Sequence, residues 1–524
     1  MKIRLPDIIS VLTENNERIT VDPCEKVGGI CVSTSLDESG DVLSAHINAP
    51  SVPLCFVEFT WKLTESEQRN DDVKVYGDAW ERGYGDLEWR KPEMTGIMPW
   101  FFMLSNGSDS NRDFSGRKTS CFGVKVRPGA LCSWRYRKDE ITLYMDIRNG
   151  SLGVLLGERT LHLADIVFAE YENISAFESG EKFCRKMCDD PILPKETVYG
   201  FNDWYYAYGV NSAERILDDA RKLAELTEEA DKKAYVVIDD GWQINSCDGP
   251  WREGNERFPD MARLAGEISE MGLCPGIWIR PLRQSKPDGE VDDAWRQNKN
   301  PQLLDPSQPK VLEYISEQIS RIVGWGFKLI KYDFVSRDIF DGYGFQRPEF
   351  LNCNDMYFHD RTLTTAEIIL NLYKTIREAA GDALLIGCNT IGHLCAGLVE
   401  INRTGDDTSG KEWERTRKMG INTLAFRMMQ HKAFYASDAD CVGLTASVPW
   451  ELNSRWLNIL SISGTPLFVS WDRSFTSDEI ESAVRTALIR NSQSNDTLVP
   501  LDWMEKNTPE EWLLNGEKII FKWQ

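Results

Sequence analysis

Lys331 and Asp333 stand two residues apart at the close of the apolar run Leu329-Ile330-Lys331-Tyr332-Asp333-Phe334. On a strand, that spacing points both side chains to the same side. A cation held beside a carboxylate keeps it ionised, which a nucleophilic carboxylate needs at neutral pH. The same pair also serves as a structural ion pair at a strand end, so its chemistry depends on its company. That company is acidic. Asp239-Asp240-Gly241-Trp242 and Arg403-Thr404-Gly405-Asp406-Asp407-Thr408 place tandem carboxylates after two further apolar runs, and Asp438 and Asp440 follow another. Two adjacent carboxylates tend to raise one pKa, which suits a group that must release a proton.

These residues act together only if the chain gathers them. From about residue 194, short apolar runs alternate with amphipathic helical stretches, the βα rhythm of a parallel sheet. Strands are expected at 198–202, 234–239, 274–279, 329–333, 384–388, 398–402, 434–438 and 465–469, with helices at 212–226, 311–323, 365–379 and 478–489. Eight strands over about 290 residues match a (β/α)8 TIM barrel. A doubly wound sheet is the rival, but Asn202-Asp203-Trp204-Tyr205-Tyr206 stands where its Gly-rich phosphate turn would follow the first strand. Residues 1–193 instead show short alternating runs broken by Gly/Asn/Asp/Ser clusters, the pattern of an N-terminal antiparallel β-sandwich. Residues 491–524 hold enough for one or two strands covering the barrel, a short C-terminal β segment. The expected fold is therefore multidomain: 1–193, 194–490 and 491–524.

In such barrels the strand ends carry the chemistry. Here they carry Asn202, Asp203 and Trp204; Asp239 and Asp240; Trp278 and Arg280; Lys331 and Asp333; Cys388 and Asn389; Arg403, Asp406 and Asp407; Asp438 and Asp440. Carboxylates and cations bond hydroxyls, and indole faces stack on apolar sugar surfaces, so the rim suits a neutral polyhydroxylated ligand. Two separated carboxylates can then act as nucleophile and acid/base in glycoside hydrolysis. A hard-cation site built from Asp239, Asp240, Asp333 and Asp407 is the rival. All five histidines (His46, His162, His359, His393, His431) lie outside these motifs, and neither metal nor cofactor is expected. Trp80, Tyr84, Trp89 and Trp100 crowd one loop-like stretch, as core or interface residues or as a stacking contribution to a neighbouring site.

Composition narrows the partners. The chain of 524 residues carries a net charge of −22 and no basic run, so nucleic acid is excluded as a partner. No run of eighteen apolar residues suggests a membrane span. Thirteen cysteines, an odd number without metal-ligand spacing, read as reduced thiols. With no apolar signal core after Met1, the expected location is cytoplasmic.

These motifs resemble those of the glycoside hydrolase clan containing families 27, 31 and 36, most closely the family 36 α-galactosidases. The clan's Lys-x-Asp nucleophile signature corresponds to Lys331-Tyr332-Asp333, and its Arg-x-x-x-Asp acid/base signature to Arg403-Thr404-Gly405-Asp406-Asp407. The likeness extends to Asp239-Asp240-Gly241-Trp242-Gln243, Pro275-Gly276-Ile277-Trp278, Gly387-Cys388 and Ser437-Asp438-Ala439-Asp440-Cys441, in matching order. It implies retaining exo-hydrolysis of terminal α-galactose from small oligosaccharides, with Asp333 as nucleophile and Asp407 as acid/base, their carboxyls about 5–5.5 Å apart. Asp406 is the rival acid/base. The resemblance also implies that Asp239 and Asp240 grip the 4- and 6-hydroxyls, that Lys331 and Arg403 bind ring hydroxyls, and that Trp204 and Trp278 line the pocket. Cys388 and Asn389 would face the sugar's 2-position, where Asn389 suits either a hydroxyl or an acetamido group. α-N-acetylgalactosaminidase, a galactosyltransferase of the raffinose-synthase type and an idle carbohydrate-binding relative are the alternatives. The oligomeric state is left open.

Overall fold

The computed structural model describes residues 3–65, 72–285, 289, 291–347, 349–352, 355–494 and 496–524. Period-two alternation shapes its first part. In Val42–Asn48, Leu43, Ala45 and Ile47 are fully buried while their neighbours are partly exposed, so the strand has one core face. Strands of this kind build two antiparallel sheets. One joins Arg18–Thr20, Ile8–Thr13, Leu54–Lys62, Glu140–Asp146, Leu131–Arg137 and Met98–Pro99; the other joins Lys26–Val27, Ile30–Leu36, Val42–Asn48, Thr160–Glu172, Lys118–Val124, Phe101–Asn106 and Val73–Gly77. Their inner faces meet through aromatic rings. Trp61 lies 5.3 Å from Phe168, and Phe102 lies 5.8 Å from Trp134. Trp80, Trp89 and Trp100 are buried, as core residues should be.

The parallel sheet follows, with strands buried on both faces. Its order is Ala436–Asp438, Ile401–Arg403, Leu384–Gly387, Leu329–Tyr332, Cys274–Ile279, Tyr235–Ile238, Tyr199–Asn202, Leu467–Trp471 and Cys441–Leu444. The two outermost strands are consecutive pieces of one stretch, parted only by Ala439-Asp440, where Asp440 takes a φ of 73°. The strand expected at 434–438 ends at 438 as expected but starts at Ala436, and past the left-handed residue an unexpected second piece pairs with Leu467–Trp471. The strand expected at 398–402 starts instead at Ile401, because Ala396 to Val399 is occupied by a turn with Gly397 at φ 78°. Helices Ala213–Leu226, Met261–Glu270, Pro309–Gly324, Thr365–Ala380, Trp450–Ile462 and Asp478–Gln493 are interleaved with the strands. Ser212, Asp260 and Ser477 cap three of them, and Thr364 with Glu367 forms a capping box on a fourth.

The C-terminal segment forms three short antiparallel strands rather than one or two: Val499–Pro500, Glu511–Leu514 and Glu517–Ile520. It does more than cover the parallel sheet. Trp503 packs on Trp89 at 5.2 Å and on Phe426 at 5.5 Å, and its indole N–H donates to Asp109 at 2.9 Å. Asp109 also accepts the first amides of helix Ala176–Met187, from Ala176 at 3.0 Å and Phe177 at 3.1 Å. One buried carboxylate thus ties three parts of the chain together. Among the described residues every cysteine is a free thiol, and no helix is long and apolar enough to cross a membrane.

Candidate active site

A cavity of about 400 Å³ opens at the carboxyl ends of the parallel strands, and Trp204, Asp239, Asp240, Trp278, Lys331, Asp333 and Asp407 all line it. The strand Leu329–Tyr332 delivers Lys331 and, one residue past its end, Asp333. Phe334 then turns into the left-handed region at φ 62°, costly for a bulky residue, and swings its N–H back onto Asp333 Oδ1 at 2.7 Å. Trp278 Nε1 donates to Oδ2 at 3.2 Å. Both oxygens are held while the carboxyl stays at the cavity wall.

Lys331 does not form its ion pair with Asp333. Its Nζ sits 2.8 Å from Asp239 Oδ2, the oxygen that also receives Asn202 Nδ2 at 2.8 Å. Burial, the largest single influence, pushes this ammonium down, but Asp239, Cys388 and Asp333 together outweigh it and hold Lys331 well above the usual lysine range. The Asp239 N–H donates to Asp203 at 2.7 Å. Burial, then the neighbouring Asp239, pushes Asp203 up to about 7. Asp240 is raised by burial, against hydrogen bonds from Gln243, the Cys247 N–H at 2.7 Å and Ser246 at 3.2 Å.

The tandem carboxylates differ sharply. Asp406 is clamped by Arg82 at 2.7 Å and Arg415 at 2.9 Å, and its side chain is 18% exposed. Asp407 has only long contacts, 3.5 Å to Arg82 and 3.4 Å to Arg403, and its side chain is 37% exposed at the cavity. The expected rise of one pKa in this pair is not what the geometry produces. Burial does push Asp407 upward, but Arg82, Arg403, Lys331 and Arg415 together bring its carboxyl below the usual aspartate range. Two guanidiniums neutralise Asp406, so the repulsion that would have raised its neighbour is quenched.

Three expected residues stand behind the cavity wall. Arg403 is buried, bonded to Asp440 at 2.8 Å and to Cys388 Sγ at 3.4 Å. Cys388 is buried with it. Asn389 is fully buried; its amide donates to Glu81 at 2.6 Å and its oxygen accepts the Arg337 N–H at 3.3 Å, so both of its polar atoms have partners inside the protein. Asp440 accepts the Thr408 N–H at 2.8 Å and serves as a buried structural carboxylate.

The N-terminal part contributes too: Tyr84, one of the aromatic residues weighed as stacking on a neighbouring site, and Arg82, which was not foreseen. Arg82 and Tyr84 line the cavity, as do Tyr343 and Arg415. Gly83 exchanges backbone hydrogen bonds with the acid loop, donating to Thr404 O at 2.9 Å and accepting from the Asp406 N–H at 2.8 Å. Glu81 accepts from Ser336 and from the Gly344 N–H at 2.6 Å, which pins this loop against the parallel sheet. A charged Glu81-Arg82 pair inside an aromatic loop was the available signal; nothing in the local pattern marks Arg415. Among the described residues no three His, Cys, Asp or Glu side chains are disposed to hold a metal ion.

Arg82 gives this site a testable pH signature. Replacing it with glutamine removes one cation from Asp407 and half the clamp on Asp406. Both changes raise the Asp407 pKa. Were Asp407 a proton donor, it would stay protonated to higher pH, and the alkaline limb of kcat/KM would move upward. An unmoved limb in R82Q would show that Arg82 does not set the protonation of Asp407.

No protein-family model matches the chain. The α-galactosidase AgaA of Geobacillus stearothermophilus is 32% identical over 160 residues, 27% of this chain, and the chain spans about a fifth, 21%, of that relative's length. Solved structures match far more broadly. The α-galactosidase TtGalA of Thermus thermophilus, in complex with p-nitrophenyl α-D-galactopyranoside, superposes with a TM-score of 0.61 at 16% identity, covering 98% of this chain and 99% of that one. The GH36 α-galactosidase AgaB of Geobacillus stearothermophilus gives 0.65 at 14% identity, over 97% of this chain and 79% of that one. Across almost its whole length, the chain has the fold of the family 36 α-galactosidases.

Proposed function

We propose that the protein is a retaining exo-α-galactosidase that removes terminal α-galactose from small oligosaccharides. One observation carries the reading: Asp333 and the partly exposed Asp407 face the same cavity, with Asp239, Asp240 and Lys331 beside them. In this reading Asp333 attacks the anomeric carbon while Asp407 protonates the leaving oxygen. Asp407 then takes the proton of the water that hydrolyses the glycosyl-enzyme. Asp239, Asp240 and Lys331 bind ring hydroxyls, Trp204 and Trp278 wall the pocket, and Arg403 acts on Asp407 from behind. The cations around Asp407 favour an acidic optimum, since the donor must be protonated for the first step. The likeness to enzymes solved with stachyose and with raffinose supports a neutral oligosaccharide as substrate.

The same reading closes the parallel sheet into a (β/α)8 barrel, because its two outermost strands are pieces of one stretch, 436–444. It divides the chain at 1–193, 194–490 and 491–524. The free thiols accord with a reducing compartment, the cytoplasm. With Asn389 buried under Glu81, the structure offers no acetamido partner at that position, which favours galactose over N-acetylgalactosamine.

The test is a panel of aryl α-galactoside, aryl α-N-acetylgalactosaminide and aryl α-glucoside, with the product anomer followed by NMR. Release from the α-galactoside alone, with α-galactose formed first, is the expected result. β-Galactose as first product would end the retaining mechanism, and silence on all three substrates would end the hydrolase reading.

A further inference from the structure

Asp203 lies behind the wall of the catalytic cavity, a buried carboxylate with no part in the chemistry described above. Amide N–H groups rather than cations hold both of its oxygens. Oδ1 accepts the Asp239 N–H at 2.7 Å, and Oδ2 accepts from Asn211 Nδ2 at 2.7 Å. A carboxylate is costly to bury on such terms. What it holds is a residue of the cavity wall. Asn202, the last residue of the strand before it, donates from its side chain to the Asp239 carboxylate at 2.8 Å. Two consecutive residues thus grip Asp239, one by its side chain and one by its backbone. Asn211, itself buried, extends the grip, with Nδ2 at 3.3 Å from Asp240 O. The turn that follows is closed from the same side. Gly241 has a φ of 115°, and a Cβ there would lie 2.5 Å from Gly209 O and 2.6 Å from Asn211 Oδ1. Arg257 Nη2 then bridges Gly209 O at 3.0 Å and Gly241 O at 2.9 Å. The directions in which Asp239 and Asp240 leave this turn follow from where Asp203 and Asn211 hold its backbone.

We propose that Asp203 is a positioning residue for substrate binding: by accepting the Asp239 N–H, and through Asn211 the Asp240 carbonyl, it aims both carboxylates at the ring hydroxyls of the sugar. The proposal rests on the galactosidase reading of the cavity. Asp203 touches neither substrate nor reacting atoms, so its loss is felt in binding rather than in the chemical step.

Asp203→Ala and Asp203→Asn separate this role from mere packing. The first removes both acceptors. The second keeps an oxygen for the Asp239 N–H, and its NH2 can donate to Asn211 Oδ1, which is buried without a partner, once that amide turns over. On an aryl α-galactoside, Asp203→Ala should raise KM about tenfold with kcat within about twofold, as expected for a lost hydrogen bond to a charged group. Asp203→Asn should bring KM back to within about threefold of the wild type, because the acceptor is restored. An unchanged KM in Asp203→Ala, a loss confined to kcat, or an equal rise in both variants would overturn the proposal. Asn211→Ala, which leaves Asp203 a single donor, should raise KM about threefold. It decides the matter if Asp203→Ala does not fold, an unchanged KM rejecting the role. Amide hydrogen exchange at residues 239–241, followed without any sugar, keeps this apart from failure of the catalytic reading. If the wild type cleaves no α-galactoside, that reading has failed. Faster exchange in Asp203→Ala than in the wild type and Asp203→Asn then still supports the positioning, and one rate in all three rejects it.

Discussion

Asp333→Ala should lower kcat/KM on aryl α-galactosides by roughly four orders of magnitude or more, since removing a nucleophile removes the covalent route entirely. Stability should change little. Asp333 lies past the end of its strand, and the groups it would leave are the Trp278 N–H at 3.2 Å and the Phe334 N–H at 2.7 Å. Each loses a partner beside an open cavity where water can replace it, a cost of about 1–2 kcal/mol in all. Thermal unfolding and kinetics on the same sample make the check. Full activity would remove Asp333 from the mechanism, and an unfolded variant would make it a structural residue.

The second large effect separates two neighbours. Asp407→Ala should cut kcat/KM on raffinose by about 10²–10⁴-fold, the usual worth of general acid–base catalysis. On an activated aryl galactoside, whose leaving group needs no proton, the loss should be smaller. Azide, small enough to enter the space left by the carboxyl, should restore turnover and give a galactosyl azide. Asp406→Ala should show no rescue. Its carboxylate neutralises Arg82 and Arg415 at 2.7 and 2.9 Å, so its removal frees those cations to act on Asp407 and lowers that donor's pKa further. The Asp406 variant should therefore keep its mechanism but lose activity first at the alkaline end. Azide rescue in Asp406→Ala instead would transfer the acid/base role to it.

Motifs and periodicity made the carboxylates on the parallel-strand ends legible, because strand-end residues are fixed by local pattern: a buried apolar run and the polar residue that ends it. Asp239, Asp240, Lys331 and Asp333 needed nothing more. Partnership across the cavity was not legible. Lys331 pairs with Asp239 over 92 positions rather than with Asp333, two away, a choice made by how the parallel strands lie side by side and not by spacing. The low pKa of Asp407 depends on Arg82, 325 residues upstream, whose position depends on how the N-terminal sheets dock. Asn389 illustrates the reverse error: a strand-end amide in the right place is consumed by Glu81 from that same distant loop. The strand expected at 398–402 starts late because a turn with Gly397 at positive φ intervenes, and the additional strand Cys441–Leu444 after the left-handed Asp440 went unseen, since ordinary propensity does not announce positive φ at an aspartate.

The two backbone hydrogen bonds between Gly83 and the Thr404–Asp406 turn have a consequence for assembly. Gly405 admits no side chain there, for a Cβ would lie 2.1 Å from Met419 O, so the turn is shaped to receive the incoming loop. The cavity wall around Asp406 and Asp407 is then an interlock between the first and the later part of the chain. On refolding, secondary structure should return before activity does, because Asp407 acquires Arg82, the first of the cations around it, only when the interlock closes.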